Sequence, residues 1–269
     1  MSAGSPARMT DAKLALITGA SSGIGLELAK LFAENGYDLV VAAEDDGILG
    51  VPQKLSEFGA EIHPVQVDLR TPEGVEHLYQ STIEGGRAID VAALNAGVGK
   101  GGMFLETELS DDLAVVDLNV RSTVHLAKLV LRDMANREQG KVLFTSSVAS
   151  MMPGSYQTVY NASKSFIQSF AEALQDELRD TAITITSLMP GPTDTNFFAR
   201  AGMLNTLVGK MPKDDPAQVA RQGFEALMSG DKKVIGGSVP SKVMGTVSRV
   251  LPDTVKAVGS RLISKPRGS

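Results

Sequence analysis

Short apolar runs with little polar alternation punctuate the chain at Leu14–Thr18, Leu39–Ala43, Ile62–Val67, Val91–Leu94, Val142–Thr145, Ile183–Leu188 and Val234–Ile235. Such runs suit strands covered on both faces, the habit of a parallel sheet. Buried helix fragments are the competing reading, which the flanking glycines and polar turns disfavour. Between the runs the period changes. Ile24, Leu28, Leu31 and Phe32 recur at helical spacing, and so do Val75, Leu78 and Ile83. Leu113–Met134 reads as one long, strongly apolar helix wide enough to be buried. Tyr160–Leu178 carries Phe166, Ile167, Phe170, Ala171 and Leu174 on a broad apolar face. Strand followed by helix, repeated about six times, predicts a doubly wound α/β domain: a Rossmann-type three-layer sandwich around a central parallel sheet of about seven strands.

Two regions break the alternation. Gly202, Gly209 and Pro212 interrupt Phe197–Pro216, which follows a strand and reads as a substrate loop near 195–216, or as a disordered insertion. The tail from Ser238 contains Pro240, Pro252 and Pro266 and reads as a short helix or two with a loose end. Covering a pocket, joining a subunit interface and touching a membrane surface all remain open for it. The expected division is a flexible segment 1–10, one catalytic domain 11–239 and an extension 240–269.

Composition narrows the classes. The 269 residues suffice for one large core, and 26 basic against 31 acidic side chains leave a formal charge of -5. That balance argues against nucleic acid as the main partner. The absence of cysteine removes disulfides, thiolate metal sites and thiol nucleophiles, and fits a reducing compartment. Met1–Thr10 lacks the apolar core of a secretory leader, and no stretch has the length and apolarity of a membrane span. A cytoplasmic protein with no transmembrane segment is the expectation. His63, His77 and His125 show no ligand spacing, and Asp111, Asp112, Asp214 and Asp215 read as helix starts and solvated turns, so no metal site is expected.

Thr18-Gly19-Ala20-Ser21-Ser22-Gly23-Ile24-Gly25 follows the first strand and opens the first helix. Gly19 permits the turn, Gly23 close approach of backbone to a bound group, and Gly25 close packing of helix on strand. The helix start offers unpaired N–H groups to a pyrophosphate. The spacing is not that of a nucleotide-hydrolase phosphate loop, and no Lys-Ser or Lys-Thr pair closes it. A merely structural glycine-rich turn is the bland alternative. The second strand ends in Ala42-Ala43-Glu44-Asp45-Asp46, where an acid can accept both ribose hydroxyls of an adenosine and repel a 2′-phosphate. No Arg or Lys stands at that strand end, so NAD(H) is favoured over NADP(H). A solvated acidic loop is the alternative, and Arg8 or Arg70 are the bases that would reach a phosphate from elsewhere. Asp68, after the third strand, is placed to meet the adenine edge, and Asn95-Ala96-Gly97 follows the fourth strand to line the crevice.

Tyr160 and Lys164 lie four apart on a helix and share a face. An ammonium near a phenol favours phenolate and lowers its pKa, which suits proton exchange with an alcohol or carbonyl. Ser147, just past the fifth strand, is able to donate to the same oxygen. A Tyr-Lys pair alone is often only a surface contact; its position at a strand-end crevice raises it above that.

Together these residues resemble the classical short-chain dehydrogenase/reductase family over nearly all of residues 11 to 237. The glycine motif matches Thr18–Gly25, the Asn-Ala-Gly element Asn95–Gly97, and a later Pro-Gly motif and threonine Pro190, Gly191 and Thr195. Leu94 stands where the family more often has a second Asn. The resemblance implies catalytic roles for Asn119, Ser147, Tyr160 and Lys164. It implies cofactor contacts from Gly19, Ser21, Ser22, Gly23, Ile24, Gly25, Glu44, Asp68, Leu69, Asn95, Ala96 and Gly97, from Tyr160 and Lys164, and from Pro190, Gly191, Thr193 and Thr195. The implied reaction is hydride transfer between nicotinamide and a carbonyl or secondary alcohol, with Tyr160 as acid/base and Asn119 supporting a water-linked proton path to Lys164. The implied assembly is a homodimer or homotetramer with 113–134 and 160–178 at the interface. Phe197, Phe198, Met203, Leu204, Leu207, Met151, Met152 and Tyr156 suggest a mainly apolar ketone or alcohol, although core packing explains several equally well. An NADP(H)-dependent carbonyl or 3-oxoacyl reductase, a non-catalytic NAD-binding regulator or scaffold, and an NAD-retaining isomerase or epimerase are the competing readings.

Overall fold

The computed structural model describes residues 12–238, 241 and 253–266. Seven strands form the sheet: Leu14–Thr18 (β1), Asp38–Ala43 (β2), Ile62–Gln66 (β3), Ile89–Leu94 (β4), Gly140–Thr145 (β5), Ile183–Pro190 (β6) and Lys233–Gly236 (β7). Their order is β3-β2-β1-β4-β5-β6-β7, and every neighbouring pair is parallel. The expected doubly wound α/β sandwich is therefore the fold, and each apolar run is a strand.

Alternation along the strands divides the core into two layers. Leu14, Leu16, Val40 and Ala42 face one side, where they meet helices Pro72–Ile83 (α2), Ser122–Asn136 (α4) and Thr158–Glu177 (α5) through Leu78, Val130 and Ile167. Ala15, Ile17, Leu39 and Val41 face the other, against Gly23–Glu34 (α1) and Pro216–Ser229 (α6) through Phe32 and Phe224. Residues i and i+2 share a face in a pleated strand, and burial on both faces explains why the runs read as unbroken apolar sequence. Local signals fix the helix ends. Thr71 and Asp215 accept hydrogen bonds from Gly74 N and Ala217 N, and each precedes a proline in the first turn.

The long helix expected over Leu113–Met134 is present: the chain is helical without a gap from Leu109 to Asn136, with Leu109–Val116 (α3) joined to α4 through a π-helical turn at Asp117–Arg121. Leu113 is half exposed rather than buried, as are Leu109 and Phe166 nearby in the sequence or on α5. Apolarity alone does not distinguish a core-facing stripe from an outward-facing one.

The segment after β6 is ordered, not a disordered insertion. It holds two one-turn helices, Phe197–Arg200 and Leu207–Lys210, folded on a small core of Phe198, Ala201, Met203 and Val208. In the tail, Asp253–Ser264 forms a helix (α7) that packs on this segment through Ile263, and Pro266 pairs with Thr206. The expected flexible segment 1–10 and most of 240–252 lie outside the described residues.

Candidate active site

From β1 the chain steps outward to β2 and β3, then crosses back to place β4 on the other side of β1, and this reversal opens a crevice beyond the C-terminal strand ends. Its floor is the β1–α1 turn. Gly19 has φ +67, and a Cβ there would stand 3.0 Å from Ala96 Cα. A Cβ on Gly25 would collide with Gly19 O, so α1 lies against the turn because that position has no side chain. Ser22 caps α1 with extended backbone, but its side chain makes no capping bond, and the first turn holds no acid. The amide N–H groups opening α1 thus face the crevice with no acid in their own turn, the donor set a diphosphate requires, while Ser21 Oγ just before them donates to Asp45 Oδ2 at 2.8 Å.

Three polar side chains, Thr18, Asn95 and Thr145, tie the strand ends together. Thr18 Oγ1 accepts from the backbone N–H of Asn95 and of Ala96, each at 3.0 Å. Asn95 Nδ2 donates to Thr18 O at 3.1 Å, and Asn95 Oδ1 accepts from Thr145 Oγ1 at 3.1 Å. Asn95 borders the crevice, yet its side chain is committed to joining β1, β4 and β5. Asn119, in the π-helical turn, accepts from Val98 N and donates to Val98 O, both at 2.9 Å, and donates to Ser163 Oγ at 2.9 Å.

Tyr160 and Lys164 occupy the first turns of α5 and share one wall with Ser147. Lys164 is buried, and its ammonium donates to Thr145 O at 2.8 Å. A Cβ on Gly97 would lie 3.2 Å from both Lys164 Nζ and Asn119 Oδ1, so the glycine gives the ammonium its room. Burial drives Lys164 down to about 8 and the Tyr160 phenol up to about 12, the latter opposed by a hydrogen bond with Ser147. The acidification of Tyr160 expected from Lys164 is therefore not the balance struck here: desolvation dominates for both groups. The Tyr160 ring borders the crevice and packs on Phe197, with centroids 5.0 Å apart.

The family model for short chain dehydrogenases matches residues 13–203. The chain belongs to the short-chain dehydrogenase family. An uncharacterized oxidoreductase of Staphylococcus saprophyticus is 30% identical over 217 residues, spanning 80% of this chain and 91% of that protein. A short-chain dehydrogenase from Sphingobium yanoikuyae, in complex with NADPH, is 26% identical with a TM-score of 0.77 over 83% of this chain and 87% of the other. A short chain dehydrogenase/reductase from Burkholderia phymatum, in complex with NAD, shares the fold at a TM-score of 0.79 over 96% and 99% of the two chains, at 23% identity. This short-chain dehydrogenase is accordingly an oxidoreductase of the NAD(P)-dependent type.

One crevice gathers most of the residues singled out in the sequence. Gly19, Ser21, Ser22, Gly23, Ile24 and Gly25 line it, with Glu44, Asp68 and Leu69, with Asn95, Ala96 and Gly97, with Ser147, Tyr160 and Lys164, and with Pro190, Gly191, Thr193 and Thr195. Asn119 is the exception: it stands behind Gly97 and Val98, with its amide engaged by protein groups.

The acidic strand end is not free of bases. Arg70 donates to Glu44 at 2.8 Å and to Asp68 at 2.9 Å, and Arg200 pairs with Asp45 at 3.4 Å. The Arg70 hydrogen bonds hold the Asp68 carboxyl below its ordinary range. Both guanidiniums come from distant segments, which inspection of the strand end alone does not register. Arg8 lies outside the described residues.

At the opposite end, Met152, Phe197 and Phe198 line the crevice as expected. Met151, Tyr156, Met203, Leu204 and Leu207 do not. Met203 is buried in the small core beneath the loop, and Leu204 faces solvent. Val208, Met211, Gln157 and three residues of α7, Ser260, Ile263 and Ser264, complete that end. No local motif marks these residues; only the return of the tail over the loop places them. Among the described residues no metal-binding cluster occurs and no helix is long and apolar enough to cross a membrane.

Proposed function

We propose that this dehydrogenase interconverts an uncharged, mainly apolar ketone and its secondary alcohol, with Tyr160 as the proton-transferring group and residues 11–239 as one catalytic domain. The observation that carries the reading is the shared wall of Ser147, Tyr160 and Lys164 beside a helix N-terminus left open for a diphosphate. A nicotinamide cofactor bound there supplies hydride transfer, the chemistry this chain's side chains lack. Gly19, Gly23 and the opening amides of α1 would hold its diphosphate, Glu44 and Asp68 its adenosine, and Pro190, Gly191, Thr193 and Thr195 its nicotinamide half. Lys164, buried with one carbonyl partner, has N–H groups to offer ribose hydroxyls.

A phenol held near 12 is protonated at neutral pH, so the resting arrangement is that of a proton donor, suited to carbonyl reduction. Tyr160 would give its hydroxyl proton to the substrate oxygen. The Ser147 hydroxyl, hydrogen-bonded with Tyr160, would stabilise charge developing on that oxygen. Lys164 would stabilise the phenolate left behind. Asn119 acts as a positioning residue, fixing Val98 and Ser163 around Lys164 rather than touching substrate.

NAD(H) is the cofactor favoured by charge. Glu44, Asp45, Asp46 and Asp68 outnumber Arg70 and Arg200, and a 2′-phosphate would meet net negative charge. NADP(H) is the second reading, favoured by the same guanidiniums: Arg70 would transfer from Glu44 to a phosphate with a small rotation. Steady-state kinetics on a panel of ketones with both cofactors tests the proposal. Turnover with neither overturns it, and higher kcat/KM with NADPH than NADH overturns the cofactor preference.

A further inference from the structure

The substrate end of the crevice is chemically distinct from the cofactor end. The charged residues bordering the crevice are Glu44, Asp45, Asp68 and Arg200 at the adenosine end and Lys164 beside Tyr160. The far end has apolar walls, Phe197, Met211 and Ile263 among them, and carries no charge. Within that apolar surround, α7 introduces two hydroxyls. Ser260 is 3% exposed and borders the crevice, and its hydroxyl has no hydrogen-bond partner among the described residues. Ser264 is 1% exposed; its oxygen accepts from Gln157 Nε2 at 2.9 Å, and its own hydrogen has no acceptor among them.

The Ser260 oxygen is not sealed in the core, since the fully enclosed side-chain atoms without a partner among the described residues are Arg137 Nη1 and Asn161 Oδ1; it opens on the crevice, where its O–H, free of protein partners among those residues, is available to an entering group. Two unengaged O–H donors on one face of a helix, opening on an otherwise apolar cavity, therefore point to an acceptor that enters with the ligand. A carboxylate or phosphate is unsuited, since no cationic side chain lines that end: Lys213 lies 5.0 Å from the centroid of the Phe198 ring and does not border the crevice. A neutral oxygen fits.

We propose that α7 forms a second polar subsite, in which Ser260 and the Gln157–Ser264 pair hydrogen-bond a neutral oxygen of the substrate remote from the reacting carbonyl. The preferred substrate is then bifunctional: a ketone separated by an apolar spacer from a hydroxyl or second carbonyl. This rests on the carbonyl-reducing reading above, and it gives the C-terminal extension a role in selection.

The test uses the full-length enzyme with cofactor and two matched series, unbranched 2-alkanones of five to twelve carbons (about the span an apolar crevice of this kind admits) and the same ketones bearing a terminal hydroxyl. At one or more lengths the hydroxyketone should exceed its plain partner in kcat/KM by about tenfold, the worth of one neutral hydrogen bond. Ser260→Ala should bring that ratio to within twofold of unity, whereas Leu262→Ser, on the outward face of the same helix, should leave the ratio as in the parent. An equal response to both series at every length, or an unchanged ratio in Ser260→Ala, overturns the subsite. Calorimetric binding of the same pairs to the cofactor-loaded enzyme separates the two proposals. Tighter binding of a hydroxyketone, lost in Ser260→Ala, upholds the subsite even where no ketone is turned over. Equal binding throughout rejects the subsite even where ketones are reduced.

Discussion

Lys164→Met should stabilise the cofactor-free protein while abolishing turnover. Lys164 is buried with one carbonyl partner, and burial brings its pKa from the ordinary 10.5 down to about 8. At about 1.36 kcal/mol per tenfold change in proton affinity, retaining the ammonium in the folded state at neutral pH costs about 3 kcal/mol. Methionine has similar reach and no charge, and it forfeits the hydrogen bond to Thr145 O, worth about 1 kcal/mol. The net expectation at pH 7 is a gain of about 2 kcal/mol, or a melting temperature higher by roughly 4–8 °C. The pH dependence gives the sign its own check. Between about 8 and 10.5 the unfolded lysine holds its proton and the folded one has lost it, so parent stability rises with pH across that window. The variant lacks this rise, and its advantage should vanish and slightly reverse by pH 10.5. Tyr160 is present in both proteins and cancels from the difference. Urea unfolding followed by circular dichroism, without cofactor, at pH 7 and pH 10 measures both quantities. A variant less stable than the parent at pH 7, or a difference unchanged between the two pH values, would refute the assignment of Lys164 as a charge held at the expense of stability.

Tyr160→Phe should retain cofactor binding, measured by NADH fluorescence titration, and lose about 100-fold or more in kcat, because the ring contact with Phe197 survives and the proton does not. In the parent, kcat/KM for ketone reduction should fall above pH 8 as the Lys164 ammonium is lost, and a flat profile from pH 7 to 9.5 counts against its role. A homodimer or homotetramer should form through α3 and α5, whose Leu109, Leu113 and Phe166 are exposed; Leu113→Glu should shift sedimentation toward monomer, and a parent already monomeric at assay concentration rules this interface out.

Much of this was legible in the sequence, for reasons traceable to particular residues. The strands declared themselves because two-sided burial makes Leu14–Thr18 or Leu39–Ala43 apolar without a break. The β1–α1 turn was legible because close approach admits only glycine at Gly19 and Gly25, and steric exclusion leaves a sharp mark in sequence. What was not legible depends on who meets whom across the fold. Arg70 and Arg200 reach the acidic strand end from 26 and 155 residues away, so the local pattern at Glu44-Asp45 reads as bare acid. Leu113 and Leu126 are equally apolar, yet one faces outward and the other packs in the core, because thirteen residues of helix put them on opposite sides.

Catalytic and substrate residues differ in legibility for a related physical cause. Lys164 can sit uncharged-partner-poor and buried only because a rigid frame fixes its single acceptor, Thr145 O. That frame is the set of side-chain bonds joining Thr18, Asn95 and Thr145 across β1, β4 and β5. Each member is a specific donor or acceptor that a neighbour of similar size would not replace, so the cofactor end is written in recognisable motifs. The substrate end needs only volume, apolarity and a hydroxyl or two. Many residues satisfy that, and here part of it comes from α7, which reaches the crevice through Ile263 packing on Phe198 and Val208 and the pairing of Thr206 with Pro266. On the proposed reading, exchanging this tail would change the substrate of the protein while its hydride-transfer apparatus stays fixed.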